Sequence, residues 1–242
     1  MPSLEKYSRE LDYSYTPGVF PSMEALTKRP DSVRRLLISE KLEGEGKEKL
    51  LDKCAQLRVR VEVADKALSR ISGKENCFAA AVVEKHYETL KPGRHVVLHH
   101  ISDAGNLGTV LRTALGFGYR DIAVIRPAAD SYDPRVIRAS MGAIFSLRLR
   151  EYDSFAQYRE EFPGQMLYPF MLDGSVMLEE AVGDKPPHES SLIFGNEGAG
   201  LPAAFSAMGK PVRIPHSGDI DSLNLSIAAA IGMYAFMNVG GK

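Results

Sequence analysis

The segment Ile214-Pro-His-Ser-Gly-Asp-Ile-Asp-Ser-Leu-Asn-Leu-Ser-Ile-Ala-Ala-Ala-Ile231 joins a short apolar strand end, a polar loop and a helix of small and apolar residues. The helix is predicted to begin at Ser222, whose hydroxyl is a suitable N-cap for the free N–H groups of the first turn. Asn224 and Ser226 then lie inside a helix that is otherwise apolar, where polar groups need hydrogen-bond partners. They are either bonded to nearby backbone in a buried helix or part of a functional site.

A second segment, Ser191-Leu-Ile-Phe-Gly-Asn-Glu-Gly-Ala-Gly-Leu-Pro202, is a β-type run followed by a loop with glycines at 195, 198 and 200. Glycine permits positive φ or a close approach of the backbone to a ligand. The glycine order differs from the dinucleotide fingerprint, Glu197 would repel a phosphate, and no P-loop lysine follows. The loop therefore predicts a site for a cofactor that lacks phosphates.

A third segment, Asp103-Ala-Gly-Asn-Leu-Gly-Thr-Val-Leu-Arg-Thr-Ala-Leu-Gly-Phe-Gly118, follows a predicted strand over 96–101. It predicts a turn at Asn106 and then an amphipathic helix that carries Arg112 about one and two-thirds turns further on. Arg112 is flanked by apolar residues. It is either a surface arginine that extends its head group into water or a functional residue.

Together these segments resemble the three motifs of the SpoU (TrmH-like) RNA 2′-O-ribose methyltransferases of the SPOUT superfamily. The first motif, N-x-G-x-x-x-R, is matched by Asn106, Gly108 and Arg112. The second, G-x-E-G-x-G, is matched by Gly195, Glu197, Gly198 and Gly200. The third, I-P-x-x-G-x-x-x-S-L-N-x-S, is matched by Ile214, Pro215, Gly218, Ser222, Leu223, Asn224 and Ser226. The match covers residues 92 to 240, and three motifs in the family's order make it specific.

The resemblance implies methyl transfer from S-adenosylmethionine to a ribose 2′-hydroxyl. Such a displacement needs orientation of the two reactants, removal of the hydroxyl proton and positioning of the RNA backbone. The family's first-motif arginine engages RNA phosphate and helps to activate the hydroxyl. Arg112 inherits that role here, although a guanidinium is a poor base and phosphate positioning is its better supported part. Glu197 is expected to orient Arg112 through a bidentate pair.

The resemblance also implies two sets of site residues. The catalytic set is Arg112, Asn106, Glu197, Ser222 and Asn224. The cofactor-binding set is Leu172, Gly174, Gly195, Ile214 and Leu223.

Alternating strand and helix patterns predict an α/β fold with a mostly parallel sheet. The predicted strands are 35–39, 59–63, 78–83, 96–101, 121–125, 166–172, 192–194 and 212–214, and the helices of the first half are 24–27, 45–57 and 66–71. The pattern alone favours an ordinary Rossmann-like sheet. The resemblance implies instead a knotted (trefoil) methyltransferase domain over 92–242, preceded by an L30e-like RNA substrate-binding domain over 1–88.

The formal net charge is −1, which is unusual for an RNA-binding protein. Any grip on RNA must therefore be a local basic patch or one completed by a second subunit. The only dense basic cluster of the predicted N-terminal domain consists of Lys28, Arg29, Arg34 and Arg35. These residues are either RNA-binding or simply a solvated charged face.

Other features narrow the class of protein. No apolar run is long enough for a membrane span, the N-terminus has no signal core, and Cys54 and Cys77 are isolated, which predicts reduced thiols and a cytoplasmic location. His216 could face the pocket but has no paired ligand, so no metal is expected. The helix over 222–237 is apolar almost all round, and relatives bury this region in a homodimer, so a C-terminal homodimer is expected.

Two other functions stay open. One is a non-catalytic RNA-binding or ribosome-assembly protein on a methyltransferase scaffold, and the other is a methyltransferase that acts on a base nitrogen. The intact motif side chains favour the 2′-O-methyltransferase, and the N-terminal domain favours rRNA over tRNA as the substrate.

Overall fold

The structure is a computed structural model, and it describes residues 5–72, 77–183 and 186–237. The chain forms two compact units, Met1–His86 with Asp130–Ser146, and Tyr87–Ala129 with Leu147–Lys242. The segment Asp130–Ser146, which the sequence pattern places in the second domain, thus belongs to the first unit.

The strands are β1 (Tyr13–Pro17), β2 (Val33–Ile38), β3 (Arg60–Val63), β4 (Ala79–Glu84), β5 (Arg94–His99), β6 (Asp121–Ile125), β7 (Arg148–Tyr152), β8 (Met166–Pro169), β9 (Val176–Met177), β10 (Ser190–Phe194) and β11 (Val212–Arg213). The helices are α1 (Val19–Lys28), α2 (Glu45–Leu57), α3 (Asp65–Ser72), α4 (Ala104–Gly116), α5 (Pro134–Ala139), α6 (Phe155–Glu161), α7 (Leu178–Gly183) and α8 (Leu225–Met237).

The first unit contains a four-stranded mixed sheet in the order β1-β4-β2-β3. β4 is antiparallel to both β1 and β2, whereas β2 and β3 are parallel. Its core includes the side chains Tyr15, Leu37, Leu68, Cys77, Ala80 and Val82. The helix predicted over 45–57 is present with those limits as α2.

β1 is not among the strands predicted from the sequence, because two of its five residues are polar. Ser14 and Thr16 are fully buried, and a pattern of hydrophobicity cannot recognise such a strand. The hydroxyl of Thr16 makes a 2.8 Å hydrogen bond with that of Ser22 and accepts another of 2.8 Å from the Ala81 N–H. Because these bonds replace those with water, the burial of the hydroxyls is tolerated.

The second unit is built on a five-stranded sheet in the order β7-β6-β5-β10-β8, in which every pairing is parallel. The prediction of an α/β fold with a mostly parallel sheet is confirmed. The central strands β5, β6 and β10 are almost wholly buried, as expected for strands covered on both faces. β7 was missed because Arg148, Arg150 and Glu151 dilute its apolar character.

Two of the predicted strands end earlier than expected, and each early end frees a loop. β5 stops at His99 because His100 adopts left-handed φ of 59°. β8 stops at Pro169, because after a last bond from the Phe170 N–H to the Ile193 carbonyl of β10 the Met171 N–H donates instead to the Val212 carbonyl at 2.9 Å. Since carboxyl ends of parallel strands lie at one edge of a sheet, these loops and that of β10 converge.

In the part of the chain that the structure describes, no helix has the length and apolar character required to cross a membrane. The described residues also contain no group of three or more histidine, cysteine or acidic side chains arranged to hold a metal ion. Cys54 and Cys77 are buried, and the Cys77 thiol donates to the Ala79 carbonyl at 3.4 Å.

Candidate functional site

A cavity of about 380 Å³ opens at the carboxyl edge of the parallel sheet, within the second unit. Three loops form it, one after β8, one after β10 and one after β11. Four of the five predicted cofactor-binding residues line it: Leu172, Gly195, Ile214 and Leu223. The predicted catalytic residues Glu197 and Ser222 line it as well.

Gly174, the fifth predicted cofactor-binding residue, is not in the cavity wall that the described residues form. It has a packing role instead, because a Cβ at this position would lie 2.6 Å from the Val212 carbonyl carbon. Several wall residues are not among the predicted ones, namely Phe170, Met171, Asp173, Phe194, Leu225 and Ala228. Met171 and Asp173 could have been found, because they lie at and directly after the end of the predicted strand over 166–172, at the same sheet edge as Gly195.

The loop after β10 is folded back on itself. The Gly200 N–H donates to the Asn196 carbonyl at 2.9 Å, and the Asn196 N–H donates to the Gly200 carbonyl at 3.2 Å. A Cβ at Gly195 would lie 2.3 Å from the Gly200 carbonyl carbon, so only glycine fits there. Gly200 has φ of 67°, whereas a Cβ at Gly198 would meet only the Asn196 side chain at 3.6 Å.

Glu197 holds the loop between β5 and α4. Its carboxylate accepts hydrogen bonds from the Ser102 N–H at 3.1 Å, the Ser102 hydroxyl at 2.9 Å and the Asp103 N–H at 3.0 Å. The Asn106 side-chain amide donates a further one at 3.3 Å. Burial raises the pKa of Glu197, but these donors outweigh it and hold the pKa below its usual value. Glu197 is therefore a carboxylate that fixes the backbone in front of α4.

The expected pair between Glu197 and Arg112 is not formed, and this part of the prediction is wrong. The acceptor positions of Glu197 are occupied by the loop before α4. Arg112 lies on the exposed side of α4 and has no ion-pair or hydrogen-bond partner among the described residues. Its guanidinium is thus available to an anion outside the chain.

Asn224, rather than Ser222, caps α8. The helix begins at Leu225, and the Asn224 side-chain oxygen accepts hydrogen bonds from the Ser226 N–H at 2.9 Å and the Ser226 hydroxyl at 2.6 Å. The predicted N-cap at Ser222 is wrong because the chain stays in the loop for two more residues, and asparagine is as good a cap as serine. Ser222 is exposed at the rim of the cavity.

A chain of side-chain hydrogen bonds joins all three sequence motifs. The Asn224 amide donates to the Asn106 side-chain oxygen at 3.1 Å, and the Asn106 amide donates in turn to Glu197. Asn106 is itself held at the start of α4, where its N–H donates to the capping Asp103 carboxylate at 2.7 Å. The structure thus brings together Asn106, Glu197 and Asn224, with Ser222 on the cavity rim.

The four residues of the predicted basic cluster are largely bonded to other residues of the first unit. Arg34 pairs with Asp12 at 2.6 Å and with Glu84 at 3.1 Å, and Arg35 pairs with Glu62 at 3.2 Å. The Arg29 guanidinium donates to the Phe145 carbonyl at 3.2 Å, and Lys28 is exposed. Their contact with RNA stays a prediction.

We expect Glu197→Ala to lower the free energy of unfolding by about 1–3 kcal/mol at pH 7, because it leaves backbone donors without their acceptor. The folded-state pKa of Glu197 is lowered, so its contribution is complete above the usual glutamate value of 4.5 and is lost as the pH falls through the folded-state pKa. Denaturant unfolding at several pH values measures both effects. Glu180→Ala, which removes an exposed carboxylate of α7, is the control. A pH-independent difference between the variant and the native protein would contradict this role.

The fold and the motif geometry agree with comparisons to known proteins. The family model described as the SpoU rRNA Methylase family matches residues 93–234, more than half of the chain. The chain is 30% identical over 199 residues to the 23S rRNA (adenosine(1067)-2′-O)-methyltransferase of Streptomyces azureus, which covers 76% of this chain and 72% of that protein. It is 32% identical over 160 residues to the 23S rRNA (guanosine(2553)-2′-O)-methyltransferase RlmP of Bacillus subtilis, over 64% of this chain and 62% of that protein.

A solved structure is similar over nearly the whole chain. The AdoMet-bound rRNA methyltransferase from Sinorhizobium meliloti matches with a TM-score of 0.80 and 26% identity, over 96% of this chain and 89% of that chain. Of the first curated relatives that it matches, the chain spans only 28 to 62% of their length. The family model covers all three motifs, and on this ground the chain belongs to the SpoU rRNA methylase family.

Proposed function

We propose that this protein transfers a methyl group from S-adenosylmethionine to a ribose 2′-hydroxyl in structured RNA. The observation that carries the proposal is the hydrogen-bonded chain from Asn224 through Asn106 to Glu197, beside a cavity made by the three motif loops. Ribosomal RNA is the favoured substrate, since the relatives from Streptomyces azureus and Bacillus subtilis carry names that specify 23S rRNA.

The cavity residues suit S-adenosylmethionine, which supplies an activated methyl group when it is bound. Leu172, Ile214, Leu223 and Leu225 offer apolar walls for an adenine, and the loop of Gly195 presents backbone groups without a side chain in the way. No phosphate has to be accommodated, which agrees with the carboxylate of Glu197 in the wall. A similar rRNA methyltransferase has been solved with AdoMet bound.

The polar residues divide the remaining work. Arg112 is exposed and free to bind an RNA phosphate, and a bidentate guanidinium fixes the orientation of that phosphate. Glu197 and Asn106 hold the start of α4 and with it the direction of Arg112. Asn224 connects this helix to α8, and Ser222 stands at the cavity rim, where its hydroxyl can contact a bound nucleotide.

Gly195→Ala should weaken the binding of S-adenosylmethionine at least tenfold, because the added methyl group forces the cavity loop away from Gly200. Gly116→Ala, at the end of α4 and outside the cavity wall, is the matched control, since its methyl group meets no atom of the described residues within 4 Å. Calorimetry on the whole chain measures both, from a native affinity in the micromolar range, about −8 kcal/mol. The whole chain is used because Asp130–Ser146 belongs to the first unit. Equal affinities for the two variants, both folded by thermal unfolding, would contradict the cofactor assignment.

Arg112→Ala should reduce methyl transfer at least a hundredfold and leave cofactor affinity unchanged, because the guanidinium is assigned to RNA. Arg112→Lys should restore little, since an ammonium cannot reproduce the planar fork. The assay follows tritium from labelled S-adenosylmethionine into RNA. Lys91→Ala, which removes an exposed charge elsewhere in the second unit, controls for net charge. Near-normal turnover by Arg112→Ala would refute this active site.

A homodimer through the second unit is part of the proposal. α8 exposes an apolar stripe of Ile227 (53%), Ile231 (37%) and Tyr234 (55%), which follow each other at helical spacing. Water-exposed apolar residues in such a row are typical of an interface. Met233 in the same helix is fully buried, so the stripe is the better place to test the interface.

Ile231→Glu should convert the dimer to a monomer, because an interface buries the stripe and a charge there loses its hydration. Val63→Glu, an equally drastic change at an exposed apolar position of β3, should leave the mass unchanged. Light scattering at low micromolar concentration separates the two states. A native protein that is monomeric and still methylates RNA would exclude the dimer requirement.

The family resemblance supports three further parts of the proposal. These are an L30e-like RNA-binding domain at the N-terminus, a trefoil knot in the methyltransferase domain and a cytoplasmic location. The mixed parallel and antiparallel sheet of the first unit is compatible with an L30e-like domain. Stretching single molecules from both ends tests the knot, which would leave the fully extended chain shorter than its residue count predicts.

The function itself is tested by mapping ribose methylation in rRNA and tRNA from a strain that lacks the protein. Loss of one 2′-O-methyl group, restored by the native gene and not by Arg112→Ala, supports the proposal and identifies the nucleotide. Methylation that is unchanged in the deletion strain would favour a non-catalytic RNA-binding protein.

A further inference from the structure

A second cavity, of about 550 Å³, lies beside the first within the same unit. Its wall includes His99, His100, Ser102, Pro127, Ala128 and Pro202. It shares Asn196, Ala199 and Gly200 with the cavity assigned to the cofactor. The loop after β10 therefore separates two neighbouring cavities.

His100 is held in a conformation that residues other than glycine seldom adopt. Its φ is 59°, in the left-handed region. Its N–H donates to the Ile125 carbonyl at 3.1 Å, and its carbonyl accepts from the Asn196 amide at 2.9 Å. These two bonds fix the backbone in spite of its cost, as often occurs at functional sites.

The fixed backbone presents a flat aromatic wall. The rings of His100 and His99 are stacked with their centroids 3.8 Å apart and their planes at 28°. His99 meets Phe205 edge to face at 5.1 Å, which supports the stack from behind. Pro127 and Ala128 add apolar surface. A flat ring with apolar neighbours is how proteins hold a base that has left its helical stack.

His99, on which the ring of His100 stacks, is a buried side chain. The side chain is only 6% exposed, and its Nδ1 has no hydrogen-bond partner in the described part of the chain. Burial, with a smaller effect of His100, lowers the pKa of His99 to about 4, so the ring is neutral near pH 7. Because that nitrogen is itself buried, a ligand in the cavity does not reach it, and His99 serves as the neutral ring on which His100 stacks.

The cavity also adjoins the polar residues of the proposed active site. Ser102 lies in its wall, and the same residue donates two hydrogen bonds to Glu197. Glu197 in turn binds Asn106. A base in this cavity would therefore bring its own ribose close to the polar chain and to the wall shared with the cofactor cavity.

We infer that this second cavity receives the nucleobase of the nucleotide to be methylated, drawn out of the RNA stack, with its face on the ring of His100. The inference rests on the proposed methyltransferase function and adds to it the part of the chain that recognises the base.

The test uses the full chain, tritiated S-adenosylmethionine and total ribosomal and transfer RNA from a strain that lacks the protein. His100→Asn removes the ring but tolerates the left-handed backbone, and it should lower kcat/KM for RNA on the order of 10- to 100-fold. His100→Tyr keeps a flat ring and should restore most of the loss. His188→Asn, at an exposed position outside both cavities, should behave like the native protein. The affinity for S-adenosylmethionine should be the same in all four proteins.

A second variant tests the space itself. Ala128→Phe fills the cavity and should stop methyl transfer to RNA while S-adenosylmethionine still binds, which also shows that the variant is folded. Normal methylation by Ala128→Phe would overturn the inference.

The outcomes separate the inference from the function on which it rests. If the native protein transfers no methyl group to this RNA, the proposed function fails. If the native protein is active and His100→Asn matches it, the base-binding cavity is wrong and the function stands. Equal losses in His100→Asn and His100→Tyr would also overturn the inference, because the flat ring would then not be the determinant.

Discussion

The site depends on one carboxylate, that of Glu197, and on the donors that surround it. Glu197 comes from the loop after β10 and accepts from the backbone of Ser102 and Asp103, which leads into α4. Without this acceptor, the N–H groups would face a cavity with no partner, and the start of α4 would lose its anchor. One side chain thereby connects the carboxyl ends of two adjacent strands, β5 and β10.

The bonds of Glu197 extend to a third element through two asparagines. An asparagine side chain has an acceptor at one atom and donors at the other, so it can pass a connection onward. Asn106 donates to Glu197 and accepts from Asn224, and Asn224 uses its oxygen to cap α8. The relative positions of α4 and α8 thus follow from side chains that are each hydrogen-bonded on both sides. Such a network holds its geometry well because each member has few alternatives.

The sequence predicted the sheet of the second unit well because its central strands are continuous apolar runs, as in β5, β6 and β10. It predicted which residues gather at the site because the family motifs are intact. It failed where the outcome depends on competition between similar groups. Ser222 and Asn224 are both good caps, and only the loop path selects Asn224. For Glu197, the Arg112 guanidinium and several N–H groups were possible partners, and the structure shows the backbone donors. β1 was missed since its buried hydroxyls look like exposed ones in a sequence.

The loop closed by Asn196 and Gly200 is a partition, because one short stretch of backbone faces a cavity on each side. Binding in the two cavities is thermodynamically linked whenever a ligand in one of them displaces this loop. The change that the first ligand makes in the binding free energy of the second then equals the change that the second makes in the binding free energy of the first. The stiffness of that loop comes from its two cross-loop hydrogen bonds and from the close packing of Gly195 against Gly200. It therefore sets how strongly binding in one cavity affects binding in the other.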